Sequence, residues 1–175
     1  MLRIQSNIEP VTPLAVVRGT MILSTAAWAA GEALMRRTRA LDRLARAIWT
    51  AGIALALMHV VLAFQIVYGW DHEAAVEATV QQAVDRFGWG WRGGIYVNYA
   101  FLALWLGDAC WWWIAPASHA SRSLRVEAGR LALFAFMFVN GAVVFASGTG
   151  RLVGMTSVTV ALLASLARRQ HPVFA

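Results

Sequence analysis

Residues 48–70, IWTAGIALALMHVVLAFQIVYGW, decide the class of fold. This stretch contains no charged side chain, and indoles lie near both of its ends, at Trp49 and Trp70. About 20 consecutive apolar residues are enough for an α-helix to cross the hydrocarbon core of a bilayer. Tryptophan at the ends of such a stretch is typical of the membrane–water interface. Residues 48–70 therefore predict a membrane-spanning helix.

Four further apolar stretches have a similar length. The chain of 175 residues is 59% hydrophobic and only 14% charged, which is more apolar than an ordinary soluble domain. We predict an all-α fold, a polytopic integral membrane helix bundle with about five transmembrane helices that forms a single membrane domain over residues 1–175. The spans are expected at about 12–35, 48–70, 95–116, 131–147 and 151–167.

The stretch at residues 12–35 has an alternative interpretation as a cleavable signal peptide. Arg18, a short apolar run and the small residues around Trp28 resemble the three regions of such a peptide. An arginine cluster begins directly afterwards, at Arg36, and in that case it would lie on the translocated side of the membrane. That placement opposes the positive-inside rule, so a retained span is favoured.

The arginines predict the orientation in the membrane. Ten of the fifteen lie in the linker 36–46, in the loop after the third span or at the C-terminus. In a five-span arrangement these three regions share one side, which the positive-inside rule identifies as the cytoplasm. We expect a protein of the bacterial cytoplasmic membrane with its N-terminus outside and its C-terminus cytoplasmic. Nucleic-acid binding is not expected, because it requires a continuous soluble basic face.

The polar stretch between the second and third spans predicts an amphipathic helix, at about residues 72–87, on the outer membrane surface. Apolar residues recur there at helical spacing; they are Val76, Val80, Ala83, Val84 and Phe87. Asp71 is a suitable N-cap and Gly88 a suitable C-terminal stop. Another face is acidic and is a candidate docking surface for a basic periplasmic protein; it carries Glu73, Glu77 and Asp85.

Polar side chains inside a membrane are costly and therefore mark candidate sites. His59, Asp108 and Asn140 are expected ~16, ~12 and ~15 Å from the inner ends of their spans, at a rise of about 1.5 Å per residue. They can therefore share one layer of the bundle. Trp105 lies on the same helical seam as Asp108. These four residues are the candidate cofactor-binding residues.

Several interpretations of these residues remain open. His59 could be an axial ligand of a haem or chlorin, or contact a quinone, shared with a partner subunit. The favoured alternative is that His59 hydrogen-bonds Asp108 or Asn140 and fixes the helix register. Asp108 could relay protons or pair with a cation, and the alternative is a carboxyl that stays neutral or bonds an indole N–H of Trp105 or Trp112. For Arg18 and Glu32, interfacial snorkelling is favoured.

The sequence contains no recognisable catalytic motif. Three functions are therefore considered. The first is an accessory or scaffold subunit of a larger membrane complex, of respiratory or photosynthetic type, that contacts lipid, quinone or pigment. The second is a redox or metal-dependent membrane enzyme centred on His59 and Asp108, or on Asp71 and His72. The third is a proton or small-solute pathway in an oligomer.

Overall fold

The computed structural model describes residues 12–35, 38–144, 146 and 148–170. These residues are mostly helical, and no strand occurs among them. Two π-helical turns, Phe64–Tyr68 and Val139–Val144, continue α2 and α6. The α-helices are α1 (Pro13–Leu34), α2 (Arg39–Ala63), α3 (His72–Phe87), α4 (Gly94–Ile114), α5 (Pro116–Ala120), α6 (Leu124–Phe138) and α7 (Gly148–Gln170).

Three helical segments of the described chain are long and apolar enough to cross a membrane. They support a helical membrane protein, and they are Pro13–Leu34, Arg39–Tyr68 and Gly148–Ala167. Helix α4 has 21 residues, includes the polar residues Asn98 and Asp108, and is not one of these three segments. Helix α6 has only 15 residues before its π-helical turn, and its first half is charged. The count of five spans therefore stays a prediction.

Five long segments, α1, α2, α4, α6 and α7, pack side by side in a bundle. Ser24 of α1 donates a hydrogen bond to the Gly52 carbonyl of α2 at 2.9 Å. Gly52 faces the indole of Trp105 on α4. The ring centroid of Trp105 lies 5.3 Å from that of Phe134 on α6. Helix α7 packs along α1. We call the two ends of the bundle the α3 end and the α5 end, after the shorter helix that lies at each.

An aromatic core fills the half of the bundle nearer the α5 end. Trp49 lies 5.0 Å from Phe134 and 5.7 Å from Trp105 between ring centroids. Trp28 stacks on Phe138 at 4.5 Å. All five rings are buried. Aromatic pairs of this kind contribute about 0.5–1.5 kcal/mol beyond the area that they bury, so the rings bind α1, α2, α4 and α6 together.

The α1–α2 connection is shorter than the predicted linker 36–46. Thr38 caps α2 by accepting a hydrogen bond from the Leu41 amide at 3.2 Å, so residues 39–46 form its first two turns. The side chain of Asp42 in the first turn also pairs with Arg46, one turn later. A capping threonine and an acidic residue in the first turn are standard helix-start signals. The arginine-rich segment is therefore mainly helix.

Helix α3 comprises the same residues as the predicted amphipathic helix. The Asp71 carboxylate accepts from the Glu73 and Ala74 amides, and Gly88 ends the helix in the left-handed conformation, with φ of 75°. Val76 is buried, whereas Phe87 at the far end of the predicted apolar face is 51% exposed. The first turns of α3 pack on α4 and on the π-helical turn that follows α2.

Candidate functional site

A cavity of about 900 Å³ lies between the helices, toward the α3 end of the bundle. Residues from α1, α2, α3, α4, α6 and α7 line it, and most of them are apolar. Its polar lining includes Arg18, His59, Gln82, Asn98 and Asn140, and no aspartate or glutamate of the described chain contributes to it. A cavity of this size that is mostly apolar with a few polar groups is typical of a small-molecule site.

The shape of the cavity follows from small residues and from the two π-helical turns. Small lining residues leave space where larger side chains would close the helix–helix gaps; they are Ala56, Ala63, Gly94, Gly141, Gly150 and Gly154. Tyr68 and Asn140 enter the lining from the π-helical turns. A π-helical turn inserts an extra residue into the helical repeat and is frequent at functional sites. Neither turn was predicted from the sequence.

His59 lies on the cavity wall, and the backbone of α1 holds its ring. Nδ1 is 2.9 Å from the Val17 carbonyl oxygen and 3.4 Å from Oγ1 of Thr20. The hydroxyl of Thr20 donates to the same carbonyl at 2.7 Å. The expectation that His59 bonds Asp108 or Asn140 is therefore wrong: its hydrogen bonds in the described chain join α2 to α1 instead. A backbone acceptor on another helix has no signature in a sequence.

The cavity brings together three of the four candidate cofactor-binding residues. Trp105 forms part of its lining, is fully buried and has no hydrogen-bond partner at Nε1. Asn140 is half-buried, and its Nδ2 donates to the Phe136 carbonyl at 2.9 Å. Asp108 does not belong to the cavity lining. The predicted shared layer of His59, Asp108 and Asn140 thus has two members at the cavity and one elsewhere.

Asp108 belongs instead to a buried ion network at the α5 end. Its Oδ1 lies 3.3 Å from Nε2 of His119 and 3.6 Å from Nη1 of Arg122. These contacts agree with the alternative in which Asp108 pairs with a cation, and a bond from Asp108 to an indole does not occur among the described contacts. Arg122 also contacts His119 and pairs with Glu127. The ring of Trp112 stacks on that of His119 at 4.7 Å.

The ion network continues from Glu127 to α1 and α7. Glu127 Oε1 accepts from Arg130 Nη2 at 2.9 Å, and Arg130 pairs in turn with Glu32 of α1. Glu32 is fully buried, so its predicted snorkelling to the interface is wrong. The hydroxyl of Ser165 on α7 lies 3.4 Å from Oε2 of Glu32. The Arg130 guanidinium also lies 5.1 Å from the ring centroid of Trp49, within cation–π distance.

The electrostatics of the ion network indicate a structural role. Burial alone would raise the pKa of the Glu127 carboxyl, but the charges and hydrogen bonds of Arg130 and Arg122 outweigh it and hold this pKa well below its usual range. The network residues named above do not line the cavity. They bind α1, α4, α6 and α7 at one end, and sequence reasoning missed this role. The only local signal was the Glu127–Arg130 pair, three residues apart on one helix.

The polar residues at the start of α3 also have structural partners. Asp71 caps α3, and Glu73 pairs with Arg92 on the following loop. The ring of His72 lies 5.9 Å from that of Tyr96 and 6.0 Å from that of Tyr99. Within the described residues, no group of three or more histidine, cysteine, aspartate or glutamate side chains could hold a metal ion. The predicted Asp71–His72 metal site therefore has no geometric support.

Comparisons with known proteins assign no family. The chain matches no protein-family model, no curated protein and no solved structure. The functional interpretation therefore depends on the geometry of the cavity and of the ion network.

Proposed function

We propose that this chain is an accessory subunit of a larger membrane complex and that it holds a lipophilic small molecule in its interhelical cavity. The observation that carries the proposal is the cavity of about 900 Å³, which has apolar walls, the imidazole of His59 and no described carboxylate. Cavities of roughly 300–1,000 Å³ with a few polar groups are typical of small-ligand sites. An apolar ligand would gain free energy by covering these walls.

A five-span arrangement in the bacterial cytoplasmic membrane is part of this proposal. The described bundle has five long segments, and the described arginines of residues 39–46 and 122–130 lie toward the α5 end. The positive-inside rule then makes the α5 end cytoplasmic and the α3 end external. In this orientation α3, with Trp89 and Trp91 after it, covers the outer side of the cavity, and the ion network lies toward the cytoplasm.

A cavity-filling substitution tests the ligand-binding part of the proposal. Gly141 lines the cavity, and a Cβ added there would meet only ordinary contact, 3.5 Å from the end of Met21. We expect the purified protein to release about one equivalent of a lipophilic compound into organic solvent, and Gly141→Leu to release much less. Gly107→Leu is the matched control, because Gly107 faces open space and is not part of the lining. Equal release from both variants would contradict ligand binding in this cavity.

The size of the extracted particle tests the subunit part of the proposal. After mild extraction from native membranes, the chain should elute with other polypeptides in a particle far larger than its own 19.1 kDa plus detergent. Chemical cross-linking before extraction should recover the same polypeptides. A detergent-bound monomer in both measurements would contradict the subunit role and leave the cavity proposal to its own test.

A further inference from the structure

The His59 ring is held in one tautomer. The carbonyl oxygen of Val17, 2.9 Å from Nδ1, can only accept a hydrogen bond, so Nδ1 carries the proton. In the neutral ring Nε2 then keeps its lone pair. No hydrogen bond between described residues uses Nε2, and the ring lines the cavity. The cavity is therefore lined by an imidazole that, in its neutral form, has an Nε2 lone pair not used by any described hydrogen bond.

We propose that the cavity binds a metal-bearing macrocycle of the porphyrin or chlorin class, with Nε2 of His59 as the axial ligand of the metal. This inference rests on the proposed ligand-binding function and names the class of ligand. A histidine that ligates a metal usually donates its other ring N–H to a carbonyl or carboxylate, which orients the ring and raises its basicity. The Val17 carbonyl supplies that acceptor, and Oγ1 of Thr20 lies beside it.

A bare metal ion does not fit the same site. Zinc in proteins takes three or four protein ligands, and magnesium and calcium require several oxygen ligands. The described residues contain no group of three candidate ligands, and the cavity lining has neither a carboxylate nor a cysteine. A macrocycle brings four nitrogen ligands of its own and needs only an axial one from the protein. A single histidine is therefore sufficient for this class of ligand and insufficient for a free ion.

The surroundings of His59 suit a large flat aromatic molecule. Ala56 and Ala63, three residues before and four after His59, lie on the same face of α2 and line the cavity with it. Their methyl groups leave space on both sides of the imidazole. The aromatic rings of Phe101 and Phe138 contribute to the apolar wall. The small residues beside His59 and the cavity volume of about 900 Å³ leave room for a ring system near the imidazole.

Arg18 contributes a positive charge to the cavity lining. Arg18 follows Val17 directly in the chain and also lines the cavity. A macrocycle with acidic groups on its rim can place one of them against this guanidinium in a charge-assisted hydrogen bond. Iron porphyrins and free-acid magnesium chlorins share this chemistry, and their absorption bands and metal content distinguish them.

The test measures the absorption spectrum and metal content of the purified full chain, and its binding of haemin by titration. We expect the protein from native membranes to show macrocycle absorption bands and about one metal per chain. Detergent-solubilised chain freed of its ligand should bind haemin at one per chain. His59→Asn keeps a side-chain N–H for the Val17 carbonyl but lacks Nε2, and should bind haemin at least roughly 10-fold more weakly, because loss of even an outer-shell partner costs a metal site roughly 10- to 100-fold. His72→Asn, outside the cavity lining, is the matched control and should bind normally.

Two further measurements separate ligation from folding. Free imidazole added to His59→Gly should restore the absorption spectrum of the bound macrocycle, which a purely structural histidine would not allow. Arg18→Gln should weaken haemin binding by roughly three- to tenfold and leave binding of the haemin dimethyl ester unchanged, because the ester has no carboxylate to pair.

The inference is overturned if the wild-type chain shows no saturable binding of haemin or if His59→Asn binds it as tightly as the wild type. The proposed function can survive that result. A metal-free quinone or other lipophile released by the wild type and lost in Gly141→Leu would keep the cavity as a ligand site with a different occupant. Absence of any released compound from the wild type would overturn both.

Discussion

Removal of the Arg130 guanidinium is the perturbation for which the structure predicts the largest effect. Arg130 and its partner Glu32 are both buried, and the guanidinium also lies over the Trp49 ring. Arg130→Met keeps an apolar stem of similar length but removes the guanidinium that pairs with the buried Glu32 carboxylate. Breaking one side of a buried ion pair typically destabilises a protein by about 3–5 kcal/mol. We expect a loss of this size in the free energy of unfolding.

A double-mutant cycle assigns this loss to the ion pair. Glu32→Gln removes the charge while keeping polar atoms for Ser165, so the double variant no longer buries the carboxylate charge that Arg130 faces in the wild type. The double variant should therefore regain a large part of the stability that Arg130→Met loses, with a coupling free energy of about 1–3 kcal/mol. Arg125→Met, an exposed arginine on the same helix, is the control and should change stability by no more than about 0.5 kcal/mol.

The assay is reversible unfolding in mixed micelles by a denaturing detergent, followed by tryptophan fluorescence. Trp49 lies against the Arg130 guanidinium, so the signal reports on the perturbed region. The reasoning is refuted if Arg130→Met unfolds at the same detergent fraction as Arg125→Met. It is also refuted if the Arg130→Met and Glu32→Gln effects simply add.

Three further predictions concern other parts of the fold. The pKa of the Glu127 carboxyl is lower in the folded protein than its ordinary value of 4.5. Its contribution to stability is therefore intact above that pH and is lost on acidification below it. Unfolding midpoints measured from pH 7 to pH 3 should fall in the wild type and fall less in Glu127→Gln. A Cβ at Gly52 would lie 2.8 Å from the Trp105 ring, so Gly52→Ala should cost about 1–3 kcal/mol in the same assay, whereas Gly107→Ala, which meets open space, should be neutral or slightly stabilising. Asp71→Ala removes the cap of α3 and should cost about 0.5–2 kcal/mol, seen as faster amide hydrogen exchange in its first turn with little change elsewhere.

The features that the sequence predicted well are local ones. Asp71 and Gly88 delimit α3 because an N-cap carboxylate and a left-handed glycine act on adjacent backbone groups. The apolar lengths of three helices are likewise a property of consecutive residues, and they support a helical membrane protein. Thr38 carried an equally local signal, but the arginine-rich composition around it favoured a linker, and the start of α2 was placed too late.

The candidate site was only partly predictable. Helical spacing places His59 and Trp105 on inward faces, and both line the cavity. The same spacing does not specify which groups oppose them. The partner of His59 is a backbone carbonyl of α1, and the hydrogen-bonding side chains nearest Asp108 come from α5 and from the loop that follows it. Composition gives no indication of the cavity itself, because its volume depends on how six helical elements pack.

The sequence by itself predicts a lipid environment and a helical fold for this protein. Long apolar stretches favour lipid, and they favour helices because a spanning segment must satisfy its backbone hydrogen bonds internally. Tertiary structure alone decides which polar groups meet. Glu32 and Arg130 are separated by 98 positions, and each resembles an interfacial charge when considered alone. Only the packing of α1 against α6 makes them a buried pair, since a charge is stable away from water only where its partner is present.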